Sequence, residues 1–187
     1  MKSAVLLSCV VLSVAVIRCE AADPENPAAL SKEHQWLQQF VGEWESTSEA
    51  DMGPGKPPMK CKGKIKARSL GGLWVIWEME SEMMGTPINA VQTLGYDPQK
   101  KKYTGTWVDS MVNYKWTYEG TLDKTGKVLT FEAEGPNFTL GGKMSKFRDS
   151  YRFKSKDEII LTSSMLGEDG KWVTFMNGVV RRVSKGK

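Results

Sequence analysis

The spacing of apolar residues along the chain changes at Gly42. Ahead of it, the sequence predicts a short helix that Ser31 caps, because a serine oxygen can accept the unpaired N–H groups of a first helical turn. The apolar side of this helix consists of Trp36, Leu37, Phe40 and Val41. After Gly42, helix-length periodicity disappears and turn residues recur about every ten positions.

Short strands that alternate evenly with turns are typical of a sandwich or a barrel. The predicted strands span 43–50, 59–69, 73–82, 88–96, 102–110, 112–122, 127–134, 144–154, 158–166 and 172–183. We therefore expect a mainly β chain, an antiparallel up-and-down barrel of about ten strands of the calycin or lipocalin type. The short N-terminal helix is its plug or cap.

The strand 59–69 has the clearest alternation. Its cations are Lys60, Lys62, Lys64, Lys66 and Arg68, and its other positions hold smaller uncharged residues. Because successive strand residues point to opposite faces, all five cations lie on one face. We expect a solvent-facing surface that discourages edge pairing, and a patch for anionic lipid or an acidic partner is the alternative.

The segment from Tyr103 to Phe131 predicts an aromatic wall. An even-length turn after Ser110 places Trp107 opposite Trp116 and Asp109 opposite Tyr114, and a turn at 123–126 places Phe131 opposite Tyr118. One face then collects aromatic residues, while the other is mostly polar, which is the division that a barrel wall needs. The aromatic face consists of Trp107, Tyr114, Trp116, Tyr118 and Phe131.

Three carboxylates are candidates for inward positions. Asp109 shares the aromatic face and needs a partner there, for which Tyr114 or a backbone N–H is expected. Asp149 shares a face with aromatic residues, and Glu78 lies in a strand that is apolar on both faces. The candidate ligand-binding residues are Trp107, Asp109, Tyr114, Trp116, Tyr118, Glu78 and Asp149.

The N-terminus has the layout of a secretory signal peptide. Lys2 precedes an uncharged, mostly apolar stretch at 4–17, and Ala21 and Ala22 offer a cleavage site. The predicted division is a signal peptide at 1–21, a tether at 22–31 and a single barrel domain at 32–185. We expect a secreted or periplasmic protein without a membrane span, in which Cys61 is the remaining thiol.

The residue types argue against several classes of function. A net charge of +4 is too small to indicate nucleic-acid binding. The single histidine, His34, and the few cysteines do not provide a structural zinc site. No motif for nucleophilic catalysis, metal-dependent hydrolysis or phosphate binding occurs. We therefore predict no metal, no cofactor and no catalytic residue, and the sequence leaves the oligomeric state open.

Several segments together resemble a bacterial family known as domain of unknown function 1579. They are Trp36-Leu37, Val41-Gly42-Glu43-Trp44-Glu45, Met52-Gly53-Pro54-Gly55, Gly71-Gly72-Leu73-Trp74, Leu94-Gly95-Tyr96-Asp97, Gly105-Thr106-Trp107-Val108-Asp109-Ser110-Met111, Glu119-Gly120-Thr121-Leu122-Asp123 and Arg181-Arg182. The resemblance implies a lipocalin-like barrel, often behind an export signal, and no assigned reaction. The opening helix is also similar to that of the haem-binding nitrobindins. Nitrobindins bind haem through a histidine late in the chain, and this chain has no histidine after His34.

Three functions fit these observations. The first is a binding module that holds a small apolar or amphipathic molecule inside the barrel. The second is an enzyme that uses Asp109 with Glu78 or Asp149 on a small molecule. The third is a structural or partner-binding barrel with a filled core, which makes contact through the cationic strand. An empty cavity favours the first, carboxylates within hydrogen-bond reach favour the second, and a packed interior favours the third.

Overall fold

The computed structural model describes residues 30–53, 55–137 and 140–184. In these ranges the chain forms one α-helix, α1 (Lys32–Leu37), a 3-10 turn (Gln38–Phe40) and ten strands. The strands are β1 (Gly42–Ala50), β2 (Met59–Leu70), β3 (Trp74–Met83), β4 (Thr86–Asp97), β5 (Lys102–Asp109), β6 (Trp116–Leu122), β7 (Val128–Asn137), β8 (Lys143–Ser155), β9 (Glu158–Leu166) and β10 (Trp172–Arg182). The predicted signal peptide, and the predicted tether up to residue 29, lie outside the described residues.

The ten strands form a closed barrel. Each strand pairs with the next one along the chain in antiparallel orientation, and β1 also pairs with β10. The predicted ten-stranded, up-and-down barrel with a short N-terminal helix is therefore confirmed. The largest difference at the start of a strand is in β6, which begins at Trp116 rather than at residue 112. The preceding loop is held instead by Asp109, whose carboxylate accepts the N–H groups of Met111 and Val112.

The predicted pairing of the aromatic wall is confirmed for β5 and β6, where Trp107 lies opposite Trp116. It is wrong for β6 and β7, where Phe131 lies opposite Gly120 instead of Tyr118. A shift of two residues keeps each side chain on its face. Phe131 is therefore still directed inward and fully buried, with its ring centroid 5.4 Å from that of Tyr118.

The shifted register follows from a longer connection between β6 and β7 than the predicted turn. Leu122 pairs with Leu129. Between them, the Asp123 carboxylate accepts the N–H groups of Lys127 and Val128. These bonds fix a wider loop, because they satisfy backbone donors that a tight hairpin would use within its own ladder.

The helix closes one end of the barrel. The indole N–H of Trp36 donates to the Gly126 carbonyl at 2.9 Å, and the Gln38 amide donates to the Gly72 carbonyl at 3.0 Å. Phe40, just after the helix, is fully buried in the core. We call the end near α1 the closed end. The opposite end, where β1 ends at Ala50, is called the open end. In the described part of the chain, no helix is long and apolar enough to cross a membrane.

The five cations of β2 all point to solvent, as predicted. Acidic residues stand opposite them on both neighbouring strands. These acids are Glu43, Glu45 and Glu49 of β1 and Glu78, Glu80 and Glu82 of β3. The face therefore carries alternating charge and no basic excess, so that it does not favour an anionic partner.

Candidate functional site

The inside of the barrel differs between its two ends. Near α1, inward-facing residues are sealed from solvent, as Trp44 (1% exposed) and Val75 (0%) illustrate. Toward the open end, inward-facing residues of β1, β2 and β3 are partly exposed. They are Ser46, Ser48, Ala50, Met59, Cys61, Gly63, Met79, Ser81 and Met83. Because these positions share the face of the sealed residues, their side chains are directed toward the interior. The inward face of these three strands is thus less buried toward the open end than near α1.

Aromatic side chains line the facing wall of the open half. Trp107 of β5, Trp116 of β6 and Phe147 of β8 are each partly exposed. The rings of Trp116 and Phe147 meet edge to face with centroids 5.0 Å apart. A Cβ atom at Gly135 would lie 2.2 Å from the Trp116 ring, so that only a glycine leaves room for the indole there. The arrangement of these rings therefore depends on β7 as well as on their own strands.

Asp149 of β8 lies deeper in the same half. Its Oδ1 accepts a hydrogen bond from the Ser163 hydroxyl at 2.5 Å, and its Oδ2 accepts one from the Tyr118 hydroxyl at 2.9 Å. Burial raises the pKa of the Asp149 carboxyl, although both hydrogen bonds act to lower it. Asp149 pairs with the fully buried Phe131 across the β7–β8 ladder, so that its side chain is directed toward the interior.

A second polar contact crosses the interior from β8 to β4. The Tyr151 hydroxyl donates to Oε1 of Gln92 at 2.9 Å, and the two residues are 5% and 1% exposed. Among the described residues, Nε2 of Gln92 has no hydrogen-bond partner. Burial raises the pKa of Tyr151, and the charge of Asp149 adds to this effect. The two phenols near Asp149 are thus neutral hydrogen-bond donors at ordinary pH, because burial also raises the pKa of Tyr118.

Asp109 lies at the open-end rim of β5. Its Oδ2 accepts the indole N–H of Trp107 at 2.8 Å, while its Oδ1 accepts the backbone N–H groups of Met111 and Val112 at 2.8 and 2.9 Å. The expectation of a backbone N–H partner is met, and the phenol of Tyr114 is not the partner. Because each oxygen already accepts a hydrogen bond, Asp109 orients the indole and the loop.

Two candidate residues lie elsewhere than the sequence suggested. Tyr114 belongs to the loop before β6, where its hydroxyl donates to the Glu134 carbonyl at 3.0 Å. Glu78 points outward and lies 4.0 Å from Arg68, so that its proposed inward position is wrong. The opposite face of β3, with the buried Trp77, is the inward one. The outer face of β3 also carries a large apolar residue, Trp74, which made the two faces look alike in the sequence. In the structure, the Trp74 ring packs over Gly95 of β4.

Gln92 and Ser163 were not predicted from the sequence. A signal was present for Gln92, since it alternates with the apolar residues Ile88, Ala90 and Leu94 and therefore shares their inward face. Ser163 lies between Thr162 and Ser164, and nothing in that polar run marks which residue faces inward.

Similar structures share the barrel fold. The crystal structure of Rv2717c from M. tuberculosis matches with a TM-score of 0.59 at 15% identity, covering 83% of this chain and 100% of that one. A de novo designed fluorescence-activating β-barrel matches with a TM-score of 0.43 at 14% identity, covering 78% and 95% of the two chains. A redesigned β-barrel bound to DFHBI gives 0.42 at 15% identity, with coverages of 81% and 100%.

The sequence comparisons agree with the fold. No curated protein matches the sequence significantly. A family model for a protein of unknown function, DUF1579, matches residues 29–182, which include α1 and all ten strands. The resemblance inferred from the motifs is thereby confirmed. The chain belongs to the DUF1579 family of β-barrel proteins, to which no function has been assigned.

Proposed function

We propose that the protein binds a small apolar or amphipathic molecule in the open half of its barrel. The observation that supports this most is the gradient of exposure along the inward face of β1, β2 and β3, from sealed residues near α1 to partly exposed residues at the open end. A closed barrel of eight or more strands can hold one small ligand in this way. The sealed end provides a floor, and the open end provides the entrance.

The chemistry of the lining supports the same function. Ligand sites are mostly apolar, with a few polar groups that orient the ligand. Here Trp107, Trp116 and Phe147 provide apolar surface, while Asp149 provides a polar group at greater depth. A molecule with an apolar part and one polar group fits this division.

We further propose that the protein acts outside the cytoplasm. The support is the pattern of the first residues, in which Lys2, the apolar stretch at 4–17 and the alanines at 21 and 22 follow the order of a secretory leader. Intact-mass measurement of the protein from its own host tests this directly, since cleavage removes the first residues. A chain that retains residues 1–21 would contradict export.

The binding function can be tested by filling the interior. Cys61 faces inward near the open end, and its neighbour Lys62 faces solvent. We predict that Cys61→Trp weakens the binding of a neutral hydrophobic dye, Nile red, at least about tenfold, because the indole occupies the ligand space. The matched variant Lys62→Trp adds the same side chain outside and leaves binding unchanged. Fluorescence titration gives both affinities.

Melting temperatures establish that both variants fold. Two results would contradict the proposed function. One is a wild-type protein that does not bind the dye, and the other is a folded Cys61→Trp variant that binds it as tightly as wild type.

A further inference from the structure

In the described strands, the charged residues on the inward face of the open half are acids, apart from Lys143 at the outer end of β8. Asp109 and Asp149 face inward there. In the strands that the structure describes, the positions on the inward side that carry a cation are Lys143, which is exposed at the outer end of β8, and Arg182 at the closed end. The Arg182 guanidinium stacks 3.9 Å from the ring of Trp44 and donates to a backbone carbonyl, so that it is held away from the open half. The ligand space is therefore acidic.

The deeper acid lacks a compensating charge. Asp149 receives hydrogen bonds from two neutral hydroxyl groups, those of Ser163 and Tyr118. It takes part in no ion pair within the described ranges. An enclosed carboxylate without a cation is costly, and burial raises the pKa of this one accordingly. A cation from outside the chain would remove that cost.

The surroundings of Asp149 suit an organic cation better than a metal ion. The aromatic rings of Tyr118, Trp116 and Phe147 lie on the same inward face, and ring faces attract ammonium groups. Gln92, 1% exposed and on the inward face, has an amide nitrogen without a partner among the described residues. Such a buried donor needs an acceptor, which an oxygen atom of a bound organic molecule would supply.

We propose that the interior recognises an amphipathic amine, whose ammonium group pairs with Asp149 and whose apolar part lies against the aromatic and methionine side chains toward the open end. This inference rests on the proposed binding function and specifies its ligand class. It also excludes a class, because Asp149 and Asp109 repel the head group of a fatty acid or another anionic amphiphile.

Octylamine, octanol and octanoate test the inference, since they share an alkyl chain and differ in head-group charge. Displacement of Nile red at neutral pH gives the three affinities for wild type, Asp149→Asn and Glu132→Gln. The last variant is the control, because Glu132 is an exposed acid on the outer face and pairs with Arg148. We expect wild type to bind octylamine most tightly and octanoate least.

We expect Asp149→Asn to weaken octylamine binding at least about tenfold, which corresponds to about 1.4 kcal/mol, and to leave octanol binding unchanged. Glu132→Gln changes neither. If Asp149→Asn does not fold, the pH dependence of wild type serves instead. Octylamine affinity should fall on acidification as Asp149 takes up a proton, with Tyr118 and Tyr151 remaining neutral, whereas octanol affinity should not.

The possible failures are distinguishable. If octanol binds but octanoate binds as tightly as octylamine, or a folded Asp149→Asn retains full octylamine affinity, the amine specificity is overturned and the binding function stands. If none of the three compounds binds, the binding function and the amine specificity are both overturned.

Discussion

At the residue scale, Asp149 links the stability of the barrel to its chemistry. The carboxyl is enclosed by protein, and burial raises its pKa above the ordinary value of 3.8. The hydroxyl groups of Ser163 and Tyr118 hold it in place but do not neutralise it. Burial therefore shifts the ionisation of Asp149 in the folded protein to higher pH than in the unfolded chain, and ionisation acts against folding.

The raised pKa predicts the sign of a pH effect on stability. Because folded Asp149 binds its proton more tightly than the unfolded chain does, its contribution to the free energy of unfolding is greatest at acid pH. The contribution falls as pH rises from the unfolded pKa through the raised folded pKa. We predict that Asp149→Asn gains stability relative to wild type as pH rises from about 3 to about 7. Urea denaturation across this range measures both proteins.

The comparison with the variant isolates this residue. Hydrogen bonds from the Thr125 hydroxyl and from the backbone N–H groups of Val128 and Lys127 lower the pKa of Asp123 to about 2. Its effect on stability therefore has the opposite sign, but it is present in both proteins and cancels in the difference. A stability difference that stays constant across the pH range would contradict the assigned environment of Asp149.

Local sequence patterns predicted some of these residues and could not predict others. Trp107 and Asp109 were placed by the even spacing of the turn after Ser110, and the structure has them side by side, joined by a hydrogen bond. The contact between Gln92 and Tyr151 joins residues 59 positions apart across the barrel. Alternation along a strand indicates the face of a residue but not which residue meets it from the opposite wall.

At the element scale, the short helix and the turn after it determine the closed end. The Phe40 ring is fully buried. It lies within 6 Å, between ring centroids, of four other aromatic rings, those of Trp36, Trp77, Tyr151 and Phe153. Apart from Trp36, these rings belong to β3 and β8. The turn therefore joins the helix to strands on different sides of the barrel.

Removing this ring should destabilise the whole barrel. We predict that Phe40→Ala lowers the free energy of unfolding by about 3–5 kcal/mol, the usual cost of replacing a buried phenylalanine by alanine. Leu70→Ala is the control, because Leu70 is 52% exposed and should cost well under about 1 kcal/mol. Chemical denaturation followed by tryptophan fluorescence measures both. A Phe40→Ala variant as stable as the control would show that the closed end is not packed as described.

Turn residues and alternation were sufficient to predict ten strands, because each strand ends where the chain must reverse. These patterns predicted the wrong strand start or register where a side chain accepts hydrogen bonds from backbone N–H groups that a strand would otherwise use. The segment 112–115 continues the alternation of β6, but Asp109 accepts the N–H group of Val112, and the strand begins only at Trp116. Asp123 has a similar effect before β7, where its side chain widens the loop and shifts the register by two residues.

At the scale of the whole molecule, the barrel is asymmetric along its axis. One end is closed by α1 and by rings that exclude solvent. At the other end, inward residues of β1, β2 and β3 remain partly exposed, whereas Ile88 of β4 and Asn137 of β7 are buried. A filled barrel would bury its inward positions to a similar degree at both ends. The asymmetry favours the proposed binding barrel over a structural one, and both proposals on function depend on it.

Two thiols on one strand test this asymmetry most directly. Cys61 and Ala67 share the inward face of β2, Cys61 toward the open end and partly exposed, Ala67 toward the closed end and 7% exposed. With Cys9 and Cys19 replaced by serine, the native Cys61 is the sole thiol. In the same background, Cys61→Ser combined with Ala67→Cys moves that thiol to the closed end.

The measurement is the rate at which each folded protein reacts with Ellman's reagent, with full reaction in denaturant as the control. We predict that Cys61 reacts at least about tenfold faster than the thiol at position 67. The thiol at position 67 reacts only after the barrel opens locally, and the free energy of that opening is above about 1.4 kcal/mol. Equal, slow reaction at both positions would show that the interior is filled from end to end, and would contradict a ligand space at the open end.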